Sequence, residues 1–470
     1  VQQHGVRVSA VDTAAREKGH AHWTSNLTFI LSAMTAAIGL GSIWKFPYLA
    51  GSGGGGAFVV VYLLTCAIIT VPVLIAELML GRRGQADPAT AMRRVATDVG
   101  ASPRWSWMGG ASILAVFAIG TYYSVVGGWV FAYTAKAATG QFRDRPAAEV
   151  VGLYDRFMAD PWSLALWHGL FMAATVFVIA FGIRKGIERS SEMFMTALLL
   201  ILLLLVGYAM VEGDWQRGLS FLLKPDFEAL TLRNMLTAVG LSFFTIGTGM
   251  AIMMTYGSYL THRMSVAASA VKVAVSVPVC AMIPGFAIFP LVFANGLDPA
   301  GGPGLVLVTL PTAFGQMPGG TFFGTLFFIL ASFAALTSAI AGMEPSVAWS
   351  EERGIPRVVA AIVIGVVSWV LGLGTVLSFN LWADWHPLGF LAPFAGMTVF
   401  QIVDFITSNI MLPLINILIA LFVGWIMPLP ILEQELGAGR PKLMRLWRFL
   451  LRLVAPALIA AVLLAGIIGS

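Results

Sequence analysis

Residues 26–47 read NLTFILSAMTAAIGLGSIWKFP, an apolar run interrupted near its midpoint by Ala36-Ala37-Ile38-Gly39-Leu40-Gly41-Ser42. The run is hydrophobic enough to enter a membrane. Two glycines and a serine weaken its helix, because Gly costs about 1 kcal/mol against Ala in a helix interior. In hydrocarbon, freed backbone groups cost several kcal/mol each unless protein, ion or ligand satisfies them. A helix broken at mid-depth is therefore read as a binding site. A second apolar run, Met235 to Leu260, carries a similar interruption at Thr245-Ile246-Gly247-Thr248-Gly249-Met250. Paired interruptions in the two halves of a membrane chain point to a transport site between them.

Composition sets the wider frame. Of 470 residues, 58% are hydrophobic and only 11% charged, with a mean hydropathy of +0.85, which excludes an ordinary soluble domain. A crossing needs about 20 apolar residues, and eleven such spans can be drawn. Little chain is left for a soluble domain. The first span follows a polar, charged stretch, Val1 to Trp23, so it does not read as a cleaved signal peptide. Most of the 28 Lys and Arg residues fall in the N-terminal stretch and alternate loops, such as Arg82-Arg83, Arg184-Lys185 and Arg440-Lys442. By the positive-inside rule the N-terminus is cytoplasmic, and an odd number of spans puts the C-terminus outside. The basic residues thus set topology, and no nucleic-acid partner is expected. Cys66 and Cys280 lie in apolar spans and read as small core residues.

Along the chain, Glu77 near the end of span 2 needs a partner in the bundle interior. The aromatic pair Tyr122-Tyr123 sits at mid-depth in span 3. The outer segments 139–162 and 212–233 read as partly helical. The segment from Asn295 to Gly320 is too apolar for a solvated loop and reads as a hairpin folded into the outer vestibule. Span 8 carries a small, hydroxylated patch, Ala334-Ala335-Leu336-Thr337-Ser338. Trp382, Trp385, Trp425 and Trp447 lie where an interfacial aromatic belt belongs. His4, His20, His22, His168, His262 and His386 are dispersed, and no metal cluster or nucleophile–base set appears. The chain is not read as an enzyme.

Several segments, in order, resemble the neurotransmitter:sodium symporter family, of LeuT fold. They are Ala37-Ile38-Gly39-Leu40-Gly41-Ser42-Ile43-Trp44-Lys45-Phe46-Pro47, Gly53-Gly54-Gly55-Gly56-Ala57-Phe58, Phe243-Phe244-Thr245, Ala287-Ile288-Phe289-Pro290 and Ala334 to Ile340. The resemblance covers nearly the whole chain. It implies an all-α integral membrane protein, a LeuT-type 5+5 inverted repeat with helices 1 and 6 broken, plus an eleventh helix. The repeats would be residues 26–211 and 233–427. Residues 1–25 would be a cytoplasmic segment, 212–232 an extracellular loop, and 428–470 a linker with the last span.

The same resemblance implies a substrate site between the two breaks. The amides near Leu40 and Gly41 open a half-helix whose partial positive charge suits a carboxylate. Amine-selective members carry an Asp where this chain has Gly39, which argues for an amino acid bringing its own carboxylate. Tyr123 would donate its hydroxyl to that carboxylate, or else simply pack, and Phe244 would lie over the pocket. The other matched positions are Ala37, Ile119, Thr245, Gly247, Met250, Ser338 and Gly342. Small Gly247 and Gly342 and adaptable Met250 leave room for an apolar or aromatic side chain.

For sodium, the matched ligands are the carbonyls of Thr35, Ile38 and Ala334 and the hydroxyls of Thr337 and Ser338. The plain alternative is that both hydroxyls only bond back to the preceding turn. A second site is degraded: Ser42 and Val277 stand where the family has side-chain amides or acids, leaving Ala37, Ser42 and Thr245. No chloride is expected, because Ala281 and Leu241 replace family ligands and only Tyr62 and Thr245 remain. One coupled sodium is the natural inference. Lys272, inside the apolar stretch of span 7, either snorkels to the interface or substitutes for the lost cation.

Gates follow. Lys45 and Asp404 match the outer ionic pair, and Trp23 a family tryptophan on the inside. His20 occupies the place of a gate arginine facing Glu352, unless Arg16 or Lys18 makes that pair. The family's Gly-x9-Pro in span 5 reads Gly186-x9-Thr196 here. The expectation is a sodium-coupled importer of an apolar or aromatic L-amino acid, working by alternating access in the inner membrane of a prokaryote, as a monomer or weak dimer in the lipid bilayer. The alternatives are proton- or lysine-assisted transport, and a transport-inactive protein that binds substrate without moving it.

Overall fold

With so few polar side chains, the backbone must satisfy itself within helices. The computed structural model describes residues 22–261, 264–299, 304–437 and 441–468. Those residues are helical, with one isolated bridge between Gly55 and Pro225 and no strand among them. The spanning helices are numbered in chain order. Helix α1 is a pair, Asn26–Ala37 and Gly41–Ser52, bent by 53°. It is followed by α2 (Gly56–Gly84), α3 (Pro103–Ala138), α4 (Pro161–Ala180) and α5 (Ile183–Glu212). Helix α6 is again two pieces, Leu232–Ile246 and Ile252–Ser258. Then come α7 (Val266–Ala294), α8 (Gly320–Glu351), α9 (Arg357–Leu377), α10 (Val399–Ile426) and α11 (Pro441–Ile467). Nine of these are long and apolar enough to cross a membrane alone, and the bent α1 pair makes a tenth. The two pieces of α6, of 15 and 7 residues, stand where the expected eleventh span falls, and neither is long enough to cross alone.

Local chemistry explains the ends. Ser25 and Thr28 form a capping box at the start of α1, and Asp160 caps α4 by accepting from the amides of Trp162 and Ser163. The α6 break falls at Gly247–Ala251, so Thr245 and Ile246 stay helical, contrary to the sequence expectation. Gly247, Gly249 and Ala251 all take positive φ there, at 75°, 79° and 60°. Two glycines adopt that conformation freely, whereas Ala251 does so at a cost of about 1–2 kcal/mol.

Helices α1, α2, α3, α6, α8 and α10 meet in one hydrophobic core. A satellite cluster of Met172, Ile179, Met343, Val347, Ala360 and Ala361 stands apart from it, between α4, α8 and α9. Close approach of α2 to the second piece of α6 depends on Gly81 and Gly257. A Cβ on Gly81 would fall 1.9 Å from the Met254 carbonyl oxygen, and one on Gly257 would fall 2.5 Å from that of Leu78. The outer faces of α4, α5, α9 and α11 expose leucine, valine and phenylalanine, as lipid contact requires. Of the two outer segments expected to be partly helical, one forms Ala147–Ala159 and the other Trp215–Leu223. The apolar segment after α7 forms a packed helix, Leu305–Gln316, whose residues Leu305 to Leu307 and Leu310 to Gly315 are buried. Residues 300–303, which would form the other part of the expected hairpin, lie outside the described residues.

Candidate functional site

The break in α1 frees three carbonyls from their helical partners, and three hydroxyls take them. The amide of Ile38 still bonds the Met34 carbonyl at 2.7 Å, but the amide of Leu40 turns to the Tyr123 hydroxyl at 3.2 Å. The Thr35 carbonyl accepts from the Thr337 hydroxyl at 3.1 Å, that of Ala36 from Ser338 at 2.9 Å, and that of Ala37 from Ser42 at 3.3 Å. Thr337 also donates to the Ala334 carbonyl at 3.1 Å. Thr35, Ala334 and Thr337 therefore present three oxygens to one another at the α1–α8 crossing, a neutral oxygen set that suits a hard monovalent cation. Ser338 departs from the expected ligand set, since its hydroxyl serves the Ala36 carbonyl that the break exposed.

Of the three groups left to the degraded second site, Ala37 and Ser42 pair with each other, while the Thr245 hydroxyl bonds back to the Leu241 carbonyl. Val277 is fully buried and offers no oxygen. Tyr62, the other survivor of the expected anion site, has a buried hydroxyl without a partner among the described residues.

Beside these pairs lies a cavity of about 780 Å³, mouth included. Ala37, Gly39, Gly41, Ile119, Tyr123, Phe244, Gly247, Met250, Ser338 and Gly342 all line it. Leu40 contributes through its amide rather than its side chain. Gly39 is tightly enclosed: a Cβ there would sit 2.2 Å from the Ser338 hydroxyl oxygen and 2.8 Å from that of Tyr123. A Cβ on Gly41 would meet the Phe244 ring at 3.0 Å.

The α6 break is satisfied from two other helices. Glu77, fully buried on α2, accepts from the Gly249 amide at 3.1 Å. Asn416 on α10 donates to the Thr248 carbonyl at 3.2 Å. The sequence showed that Glu77 needed an interior partner but not which one. Asn416 was legible only as a lone amide in an apolar helix.

At the end where α1 begins, Trp23 is buried edge-on against Phe29, Tyr256 and Tyr259. Its indole N–H donates to the Tyr256 carbonyl at 2.9 Å. Glu188, at the start of α5, accepts from the Thr24 amide and hydroxyl at 2.7 and 3.1 Å and from the Thr28 hydroxyl at 3.3 Å. Sequence reasoning missed this clamp, which joins residues about 160 positions apart. It also missed Arg357, which pairs with Glu344 and, at 2.7 Å, with Glu351, while Tyr259 donates to Glu344 at 2.7 Å.

His20, Arg16 and Lys18 lie outside the described residues. Glu352 accepts from the Asp87 amide at 2.6 Å. Loss of hydration and the neighbouring Asp87 carboxyl push its pKa up to about 7. At the other end no ion pair joins Lys45 to Asp404; the Lys45 ammonium lies 4.1 Å over the Phe244 ring, and Asp404 accepts from Ser408 at 2.9 Å. Lys272 is exposed on the same outer face of α7 as Val275 and Val279. That placement removes the idea that it substitutes for a bound cation, because a side chain on the outer face cannot reach the α1–α7 interior, and it leaves snorkelling.

The chain is similar to known proteins over nearly its whole length. The sodium:neurotransmitter symporter family matches residues 20–145 and 159–470. An uncharacterised sodium-dependent transporter of Bacillus subtilis (strain 168), YhdH, is 35% identical over 461 residues, 95% of this chain and 98% of that protein. An uncharacterised sodium-dependent transporter of Haemophilus influenzae is 29% identical over 454 residues, covering 95% and 98%. Among solved structures, MhsT in complex with L-phenylalanine superposes with a TM-score of 0.86 at 39% identity, covering 95% of this chain and all of that one.

Proposed function

The chain belongs to the sodium:neurotransmitter symporter family, a family of transporters and not of enzymes, and from that premise we propose that it imports an apolar or aromatic L-amino acid with one sodium ion by alternating access. The observation that carries this is the cavity between the two breaks, where the Leu40 amide and Tyr123 hydroxyl meet at 3.2 Å. A substrate carboxylate there would take the Tyr123 hydroxyl and the open end of the second α1 piece. Gly39 leaves no room for a built-in acid, so the substrate brings its own. The phenylalanine bound by MhsT supports an aromatic side chain, as do Gly342 and Met250.

The sodium would be cargo at Thr35, Ala334 and Thr337, with the Ile38 carbonyl and, after it releases Ala36, the Ser338 hydroxyl completing the set. The pairing of Ser42 with Ala37, and the lack of a side-chain oxygen at buried Val277, favour a single ion. Nothing in the anion set beyond Tyr62 and Thr245 supports chloride. In this reading the Trp23 end faces the cytoplasm of a prokaryotic cell, and Lys45 and Asp404 close the outer end once substrate is in place. The test is calorimetric binding of an amino-acid panel to purified protein, titrated with sodium. A tight, sodium-dependent ligand with a Hill coefficient near one is expected. Equal binding in choline would overturn sodium coupling and turn attention to protons.

A further inference from the structure

Helix α10 ends and α11 begins at the Trp23 end of the bundle, where Glu435 of the connecting helix Leu429–Leu436 pairs with Arg82 at 2.7 Å. From Lys442 to Leu453 the residues of α11 sort into three rows. Met444, Trp447 and Leu451 are buried against the bundle, while Leu443, Leu446, Phe449 and Leu453 are exposed. Between these faces run Lys442, Arg445, Arg448 and Arg452, at spacings of three, three and four that keep them on one side of the helix. At a rise of about 1.5 Å per residue the basic row is about 15 Å long.

Part of this row has a structural task. The Arg448 and Arg452 Nε atoms both donate to the Gly424 carbonyl, at 3.0 and 2.6 Å, and Arg448 also reaches the Met427 carbonyl at 2.9 Å. They cap the last turn of α10, whose carbonyls have no helical partner. A carbonyl dipole does not neutralise two guanidinium charges, and no carboxylate among the described residues pairs with any of the four cations. Other guanidiniums find acids: Arg83 bonds Asp98 at 2.7 Å and Arg357 bonds Glu351 at 2.7 Å. Trp425, near the end of α10, is 56% exposed and donates its indole N–H to the Arg452 carbonyl at 3.1 Å. The Arg452 guanidinium lies 5.1 Å over its ring. An exposed tryptophan marks the level of the headgroups, and cations without an acid there, beside a lipid-facing row, call for a counter-ion.

We propose that the basic row binds an anionic phospholipid, with its phosphate on Arg448 and Arg452 beside Trp425 and its acyl chains along Leu446, Phe449 and Leu453. A guanidinium matches phosphate oxygens two at a time, and the Arg452 Nη groups remain for this while its Nε caps α10. Lys442 and Arg445, further out on the same side, attract the net negative charge that separates an anionic headgroup from a zwitterionic one. A free phosphate ion shares the headgroup's chemistry but gains nothing from the exposed leucines and phenylalanine, so the lipid is the occupant. With the Trp23 end in the cytoplasm, as proposed above, that lipid belongs to the inner leaflet. Its headgroup ties the end of α10 to the start of α11 and stabilises the bundle according to its occupancy.

The experiment follows lipid retention by native mass spectrometry, and melting temperature, on the purified protein with phosphatidylglycerol, phosphatidylcholine or inorganic phosphate added. Wild type should retain phosphatidylglycerol about tenfold or more over phosphatidylcholine and melt higher with it, an advantage that shrinks in high salt. Lys442→Gln/Arg445→Gln removes two cations that make no hydrogen bond with the described residues, so the fold stays intact. It should lower the preference about fivefold, the effect of roughly one full charge at an anionic surface. Arg448→Gln/Arg452→Gln keeps donors for the Gly424 carbonyl and should abolish the preference. Arg143→Gln/Arg145→Gln, at the opposite end, should leave it unchanged. A preference equal to wild type in both basic-row variants, or lost as fully in the Arg143 and Arg145 control, would overturn the site. Equal retention of the two lipids by the wild type would do the same. Stabilisation by inorganic phosphate as large as that by phosphatidylglycerol would make the occupant a free anion and overturn the lipid.

Discussion

In the proposed site, Gly39 acts by sterics, since it leaves no room for a side chain. A Cβ at that position would overlap the Ser338 and Tyr123 hydroxyls at 2.2 and 2.8 Å. Gly39→Asp should therefore abolish amino-acid binding without creating amine binding, as a panel containing tyrosine and tyramine would show. Tyr123→Phe removes one neutral donor from the carboxylate site and leaves the Leu40 amide unpaired. A hydrogen bond to a charged group is worth about 1.5–3 kcal/mol, so the dissociation constant should rise roughly ten- to a hundredfold with little change in melting temperature. Glu352 supplies a pH dependence whose sign can be worked out. Its pKa is raised to about 7 by desolvation and the Asp87 carboxyl, so the folded state holds the proton more tightly than the unfolded chain. The contact with Asp87 is then strongest at low pH and weakens as pH rises through the interval from the ordinary carboxylate range to about 7, with no further loss above it. Glu352→Gln keeps an acceptor for the Asp87 amide and should flatten that part of a stability–pH profile. A slope retained in Glu352→Gln would place the titration elsewhere, with Arg94 and Arg353 as the nearby cations that set its midpoint.

The two broken helices were legible because glycines and hydroxyl residues inside an apolar run weaken the helix that hydrocarbon otherwise enforces. What satisfies them was not, because partners are set by packing and not by periodicity. Thr337, Ser338 and Ser42 do read as hydroxyls near the break, but their assignment to the Thr35, Ala36 and Ala37 carbonyls needs the crossing of α1 over α8. Lys272 stays open in sequence between snorkelling and replacing a cation, because its apolar neighbours do not reveal that its face of α7 turns outward. Helix α5 shows the limit most clearly. Thr196 stands where the resemblance expects a proline, and the start of the helix, Ile183–Glu188, has π geometry that contains Gly186. Here Glu188 grips Thr24 and Thr28, tying the beginning of α1 to a stretch already off the α-helical path. Glu188→Ala should release that end of α1. A cysteine placed at buried Ser32, one turn beyond Thr28, should then react several times faster with a hydrophilic maleimide, whereas Glu188→Gln, which can still accept, should fall between. Equal reactivity in all three proteins would reduce the clamp to a local cap.

At the scale of the molecule, the two ends of the bundle differ in what holds them. The Trp23 end is closed by the buried indole, the Glu188 clamp and the Tyr259–Glu344–Arg357 chain. The opposite end has Lys45 over Phe244 and no ion pair to Asp404. A bound ion can favour this arrangement only by binding it more tightly than the alternative. Thr35, Ala334 and Thr337 come from α1 and α8, so their oxygens converge only while the first piece of α1 stays docked and Trp23 stays buried. Sodium should therefore protect the Ser32 cysteine from maleimide, with protection following sodium concentration at a Hill coefficient near one. Thr337→Val keeps the shape of the side chain but removes an oxygen, and should abolish protection by sodium while leaving the sodium-free rate within about twofold. A coefficient approaching two would mean that Ala37, Ser42 and Thr245 hold a second ion despite Val277. Protection that survives Thr337→Val would move the coupling ion away from the α1–α8 crossing altogether.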